Sequence, residues 1–270
     1  MPVFEIERDG AVATLWLANA ERRNAMGPAF FQELPARMLE LEQDQDVRAI
    51  VIAARGEHFS AGLDLKSEIG MQIQSSLAGG LASEREKLWR LIQQLQNSFA
   101  SVARSTKPVV AAIHGACIGG GLDLVAACDV RFAASNTLIS LRETRIAIVA
   151  DLGSLQRLAS IVGQGHLREM AFTGRDVPAS EAERMGLVNA VFDDTAATVA
   201  HAREVAASIA ANSPLTVRGV KAILDAAQTD SIARGLDHVA LWNTAFLPSE
   251  DLMEAVGAFI QKRPPAFRGR

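Results

Sequence analysis

The chain has 270 residues, 49% of them hydrophobic and 21% charged, which is the composition of a folded globular protein and not of a disordered one. A formal net charge of −4 argues against a nucleic-acid footprint. Two cysteines, Cys117 and Cys128, without metal-ligand spacing argue against a disulfide framework or a zinc site and point to a reducing compartment. No apolar run approaches the ~20 residues of a membrane span. The opening M-P-V-F-E-I-E-R lacks the blocks of a signal peptide, and F-R-G-R is not a peroxisomal address, so the expected location is cytoplasmic.

Taken in order, residues 1–18 predict a hairpin around Asp9-Gly10, a strong two-residue turn signal between apolar runs. A helix is predicted from about Pro28 to Asp44, with Phe31, Leu34, Met38 and Leu41 at helical spacing and a break or late start at Pro35. Val47 to Ala53 reads as a buried strand, followed by the small-residue turn H-F-S-A-G-L-D-L at 58–65. Residues 66–84 are polar with no firm period, which predicts a mobile or ligand-ordered segment. Glu84 to Ser105 reads as an amphipathic helix with Leu88, Leu91, Ile92, Leu95 and Phe99 on one face.

The strand Val109–Ile113 then drives into His114-Gly115 and three consecutive glycines, Gly119, Gly120 and Gly121, before a helical stretch that carries Asp123. Glycines let backbone approach a ligand closely. Unpaired amides at the start of a helix suit an oxygen that carries or acquires negative charge. Strands are predicted at Val130–Ala134, Leu138–Leu141 and Leu187–Phe192, and a helix over Leu152–Val162. From Ala196 the sequence is helical, with breaks at Asn212-Ser213-Pro214 and near Pro248. The expected architecture is α/β to residue 195, followed by a helical region over 196–270.

Four segments, A-E-R-R-N-A-M at 20–26, F-S-A-G-L-D-L at 59–65, H-G-A-C-I-G-G-G-L-D-L at 114–124 and T-G-R-D-V-P-A-S-E-A-E-R-M-G-L-V-N at 173–189, resemble the crotonase, or enoyl-CoA hydratase/isomerase, superfamily over nearly the whole chain. The resemblance implies a spiral of ββα repeats in residues 1–195. It assigns 196–270 to a helical region that mediates a homotrimer or a dimer of trimers. It implies an acyl-CoA thioester as substrate, with coenzyme A belonging to the substrate and neither a separate cofactor nor a metal. The backbone amides of Leu63 and Gly120 are implied as an oxyanion hole, and Ala61, Gly62, Leu63, Asp64, Leu65 and Gly120 as contacts to the substrate or its CoA.

Within the superfamily the carboxylates set the chemistry. Asp123, Glu143 and Asp151, in G-G-G-L-D-L, L-R-E-T and V-A-D-L-G-S-L-Q-R-L, resemble the Δ3,5-Δ2,4-dienoyl-CoA isomerase subfamily. Two carboxyls suit a 1,5 proton shift, one as base at C2 and one as acid at C6. The resemblance implies Glu143 at C2, Asp151 at C6 and Asp123 as a polar neighbour of Glu143. The alternative enzyme is a 2-enoyl-CoA hydratase, or a Δ3-Δ2 enoyl-CoA isomerase, of fatty-acid degradation. A further alternative is a CoA-binding protein without turnover. Structural roles compete for each residue: a helix cap for Asp151 or Asp123, and an ion pair with Arg142 or Arg145 for Glu143. His58 and His114 are expected to pack or bond backbone, Asp64 to hold its turn, and Asp129 to pair with Arg131.

Overall fold

The Asp9-Gly10 turn closes a hairpin in which β1 (Phe4–Asp9) runs antiparallel to β2 (Val12–Leu17), with Asp9 opposite Val12. The structure is a computed structural model and describes residues 2–76 and 81–269. α1 (Pro28–Gln43) buries Phe30, Phe31, Leu34, Met38 and Leu41. It is continuous through Pro35, contrary to the break that the proline predicts. Proline removes the amide that would bond the carbonyl four residues earlier. That carbonyl, of Phe31, instead accepts the Ser98 hydroxyl at 2.7 Å. The other end of α1 is closed by Lys107, a fully buried residue whose ammonium donates to the carbonyls of Leu41 and Asp44.

β3 (Ala49–Ala54) follows, then α2 (Glu68–Ser76) and α3 (Ala82–Ala103). The stretch read as having no firm period is therefore helical over 68–76, and residues 77–80 lie outside the described residues. β4 (Val109–Ile113) leads through a turn to β5 (Ala116–Ile118) and α4 (Gly120–Ala126). β6 (Val130–Ala134) and β7 (Leu138–Ser140) precede a 3-10 turn at Glu143–Ile146 and α5 (Ser154–Thr173), which kinks at Gly163. β8 (Asp176–Pro178), α6 (Ala179–Arg184) and β9 (Ala190–Phe192) follow. The chain continues through α7 (Thr195–Ala210), α8 (Pro214–Ala226), α9 (Thr229–Phe246) and α10 (Glu250–Ile260).

The strands form two sheets, a six-stranded one in the order β1-β2-β3-β4-β6-β9 and a three-stranded one in the order β5-β7-β8, and from β4 to β7 they alternate between them. Each of the units β4-β5-α4 and β6-β7-α5 gives its first strand to the large sheet and its second to the small one. This is the expected ββα winding. After β3, Ser60 bridges Cys117 in parallel, so the segment at 58–63 takes the second-strand place of an earlier turn of the spiral.

The period of two along β3 splits the core. Ile50, Ile52 and Ala54 face the cluster built with α1, α3, α4 and α5, while Ala49, Val51 and Ala53 face the cluster completed by α7. Burial on both faces explains why β3 reads as an unbroken apolar run. α7 presents Ala202, Ala206 and Ala210 to this second face, so the core extends past residue 195.

Candidate active site

Between the two sheets' carboxyl-side turns, two loops meet with almost no room between them. Gly62 has φ +84°, and a Cβ there would lie 2.6 Å from the Ile118 carbonyl oxygen and 3.3 Å from the Gly120 nitrogen. Gly119, at φ +53°, turns the chain from β5 into α4. Side chains resist both torsions, so the glycines allow the contact between the loops. The Leu63 and Gly120 amides donate to no acceptor among the described residues, although their neighbours do: Asp64 N–H reaches the Met26 carbonyl at 3.0 Å and Gly119 N–H the Ser140 carbonyl at 3.0 Å. Leu63 and Gly120 both line a cavity of about 400 Å³.

The walls of that cavity explain its chemistry. Leu88, Leu91, Ile92 and Leu95 come from one face of α3, Ile73 from α2, Leu247 from just past α9 and Phe259 from α10. A neighbouring hollow, also about 400 Å³, shares Leu65, Ile73, Ile146, Ile148 and Phe259 with it. Into this apolar space open Asp123, Glu143 and Asp151. The three carboxyls singled out in the sequence are thus brought together.

Their surroundings differ. Asp123, 1% exposed, accepts the Ser154 amide at 2.6 Å through Oδ1, and so caps α5 rather than its own helix. Burial pushes its carboxyl up, opposed by the Ser154 bond and the Arg157 charge. Glu143 makes no ion pair among the described residues; Arg142 turns instead to Asp176 at 2.7 Å. Glu143 Oε1 lies 2.9 Å from where a Cβ on Gly119 would stand, and its buried Oε2 has no hydrogen-bond partner among the described residues. Burial first, then the Asp123 charge, raise the Glu143 carboxyl well above the carboxylate range. Asp151 is raised by burial to about 7, against the bond from Asn243, which lowers it. It does not cap α5.

Asn243 of α9 was not evident from the sequence, because a lone amide within a helix carries no spacing signal. It is 1% exposed, and its Nδ2 donates both to Asp151 Oδ2 at 2.7 Å and to the Val149 carbonyl at 2.8 Å. Gln96 of α3 donates to the Asp151 carbonyl at 2.8 Å and the Leu236 carbonyl at 3.1 Å.

Other residues fall away from the chemistry. Ala61, Gly62 and Leu65 line the cavity, whereas the Asp64 carboxylate turns to Arg22 at 2.8 Å and to the Lys66 amide at 3.1 Å. Asp64 therefore holds its turn, as one of the two expectations for it had it. His114 Nε2 meets the Gly56 carbonyl at 2.9 Å, which makes it the protonated nitrogen, and burial pushes the ring's pKa down. His58 Nδ1 accepts the Ala116 amide at 3.3 Å. Asp129 pairs with Lys221 at 2.6 Å and not with Arg131, whose guanidinium is spent on the carbonyls of Leu187 and Cys128. The fully buried Cys117 thiol is pushed far up by burial. Among the described residues no group of His, Cys, Asp and Glu could hold a metal, and no helix is long and apolar enough to cross a membrane.

With a two-sheet ββα spiral and a glycine-lined cavity in place, the comparison with known proteins has a single outcome: the chain belongs to the enoyl-CoA hydratase/isomerase family, whose profile matches residues 7–270. It is 42% identical over 267 residues to a peroxisomal delta(3,5)-delta(2,4)-dienoyl-CoA isomerase of Arabidopsis thaliana, covering 99% of this chain and 96% of that one. It is 40% identical to the mitochondrial delta(3,5)-delta(2,4)-dienoyl-CoA isomerase of Dictyostelium discoideum, with 95% and 87% covered. Among solved structures, an enoyl-CoA hydratase/isomerase of Pseudoalteromonas atlantica superposes with a TM-score of 0.84 at 25% identity, covering 98% of this chain and all of that one.

Proposed function

We propose that the protein is a Δ3,5-Δ2,4-dienoyl-CoA isomerase. The observation that carries this reading is the opening of three carboxyls, Asp123, Glu143 and Asp151, into one apolar cavity that the Leu63 and Gly120 amides also line. The likeness to proteins named dienoyl-CoA isomerases supports it. Loss of a proton from C2 moves negative charge onto the thioester oxygen, where the two amides receive it; preorganised donors of this kind are worth about 3–4 kcal/mol each. Protonation at C6 then leaves double bonds at C2 and C4. One proton leaves and one arrives, so no oxidant or reductant is needed, and coenzyme A enters as part of the substrate.

Glu143 is the base at C2. Its Oε1 packs against Gly119, beside the Gly120 amide, and this proximity supports a role at the thioester end. Asp151, held from α9 and α3, is the acid at C6; burial raises it to about 7 and Glu143 to about 8, so both carboxyls hold protons near neutrality and turnover uses the form with Glu143 ionised and Asp151 protonated. Asp123, fixed on the α5 amide, raises Glu143 and orients it. Exposed apolar residues of the C-terminal helices, Leu215, Ile223 and Leu224 on α8 with Trp242 and Phe246 on α9, fit the surface by which residues 196–270 would join copies into a trimer or a dimer of trimers. A reducing, cytoplasmic setting fits the two free cysteines, both buried.

The test is an ultraviolet assay with a 3,5-dienoyl-CoA beside a 2-enoyl-CoA. Isomerisation conjugates the diene with the thioester and moves absorbance to longer wavelength, while hydration removes the enoyl band. Asp151→Asn should lower isomerisation by about 10²–10⁴-fold. Hydration with no isomerisation by the wild-type protein would make it a 2-enoyl-CoA hydratase instead, and binding without any product would leave only a CoA cradle.

A further inference from the structure

The Asp151 carboxyl hangs on a loop between the 3-10 turn and α5, and two side-chain amides from distant helices hold that loop. Gln96 fixes its backbone, and Asn243 reaches its side chain. The orientation of the Asn243 amide is determined by chemistry. Its second contact, the Val149 carbonyl, is an acceptor only, so the group facing both Val149 and Asp151 has to be the NH₂. The amide has no freedom to flip and offer its oxygen to Asp151.

Resting on the isomerase reading, we propose that Asn243 is the positioning residue for the acid of the reaction: by donating to Oδ2 it makes that oxygen carbonyl-like, directs the transferable proton of Asp151 to Oδ1, and holds the carboxyl toward the cavity. A carboxylic acid carries its proton on one oxygen, and an oxygen already receiving a hydrogen bond is the poorer place for it. Both hydrogens of Nδ2 are used, so the contact also fixes the rotation of Asp151 relative to its own loop. The charged groups that share the cavity with Asp151 are the carboxyls of Asp123 and Glu143, which act on it directly, with Arg145 and Arg142, the latter paired with Asp176. α3 and α9 face it with the neutral amides of Gln96 and Asn243.

The proposal predicts a sign that general damage would not give. An amide donor favours the ionised carboxylate, so its loss raises the carboxyl's pKa, whereas a loosened site that admits water lowers it toward the ordinary range. The experiment compares wild type, Asn243→Leu and Asn243→Ser for isomerisation of a 3,5-dienoyl-CoA across pH 5 to 10. Carboxyl-carbon NMR titration of Asp151, identified by its loss in Asp151→Asn, accompanies it. Asn243→Leu should lower kcat at least tenfold with little change in KM, and move the Asp151 titration, and the limb of activity that follows it, to higher pH. Asn243→Ser, which keeps a donor in a smaller side chain, should recover part of kcat and of the limb, and serves alone if the leucine variant does not fold. An unmoved limb, a limb moved to lower pH, or no difference between serine and wild type in both readouts would overturn the role of Asn243. A wild-type protein that does not isomerise the diene overturns the isomerase reading instead; the NMR titration still reads whether Asn243 governs Asp151.

Discussion

The carboxylate of Asp123, in the first turn of α4, receives the amide of Ser154, the first residue of α5, at 2.6 Å. One side chain therefore closes a helix end and stands in the candidate site. Asp123→Asn retains an acceptor oxygen for the amide and should leave stability within about 1 kcal/mol of wild type. Asp123→Ala removes the cap and should cost ~0.5–2 kcal/mol. Because the Asp123 charge raises Glu143, Asp123→Asn should also move the limb of the pH–rate profile that follows Glu143 to lower pH. Denaturant titration and the rate profile, taken on the same preparations, check both; equal stability of the two variants would remove the capping role.

The fold favours the neutral form of Asp151, whose pKa of about 7 stands above the ~3.9 of an unfolded aspartate. Its contribution to stability is complete below about pH 4 and is lost as pH rises through 7. Asp151→Asn removes that loss. The melting temperature of the variant should gain on wild type between pH 5 and pH 8, by roughly 2–4 °C for each kcal/mol relieved. A gap that shrinks over this range would contradict the burial of the carboxyl.

Gly62→Ala places a methyl 2.6 Å from the Ile118 carbonyl at a torsion of +84°. Relief requires the two loops to separate, which moves the Leu63 amide away from the Gly120 amide. Turnover should fall by about 10²–10³-fold. Gly165→Ala, where nothing lies within 4 Å of the added carbon, is the control and should leave turnover unchanged.

The bond from Ser98 to the Phe31 carbonyl takes the place of the one that Pro35 cannot make. Ser98→Ala leaves a buried carbonyl unpaired and should cost ~1–3 kcal/mol. In a Pro35→Ala background the helix supplies its own amide, and the same serine change should cost markedly less. A double-mutant cycle with no coupling would refute the compensation.

Much of this was legible in the chain. Asp9-Gly10 marked its hairpin, the run through Gly119, Gly120 and Gly121 marked the strand-to-helix turn, and Asp123, Glu143 and Asp151 do share a cavity. What escaped was non-local or short. β5 and β8 are three residues each, too brief to show alternation. The helicity of α2 was hidden by its polar, glycine-interrupted sequence. Pro35 reads as a break until Ser98, 67 residues beyond Phe31, supplies the missing donor. Asp129 finds Lys221, 92 residues away, in preference to the adjacent Arg131. Asn243 is equally remote from Asp151.

That last separation bears on biosynthesis. The loops that carry Leu63 and Gly120 can meet once α4 has formed, but the grip on Asp151 comes from α9, whose Asn243 lies 92 residues further along the chain. Long-range closures of this kind cost chain entropy and come late in folding. A ribosome-bound chain that has completed α5 but not α9 would hold the Leu63 and Gly120 loops in contact beside an untethered Asp151 carboxyl. The Asp151 carboxyl is thereby fixed in a single late event, when α9 docks against α3 and α5.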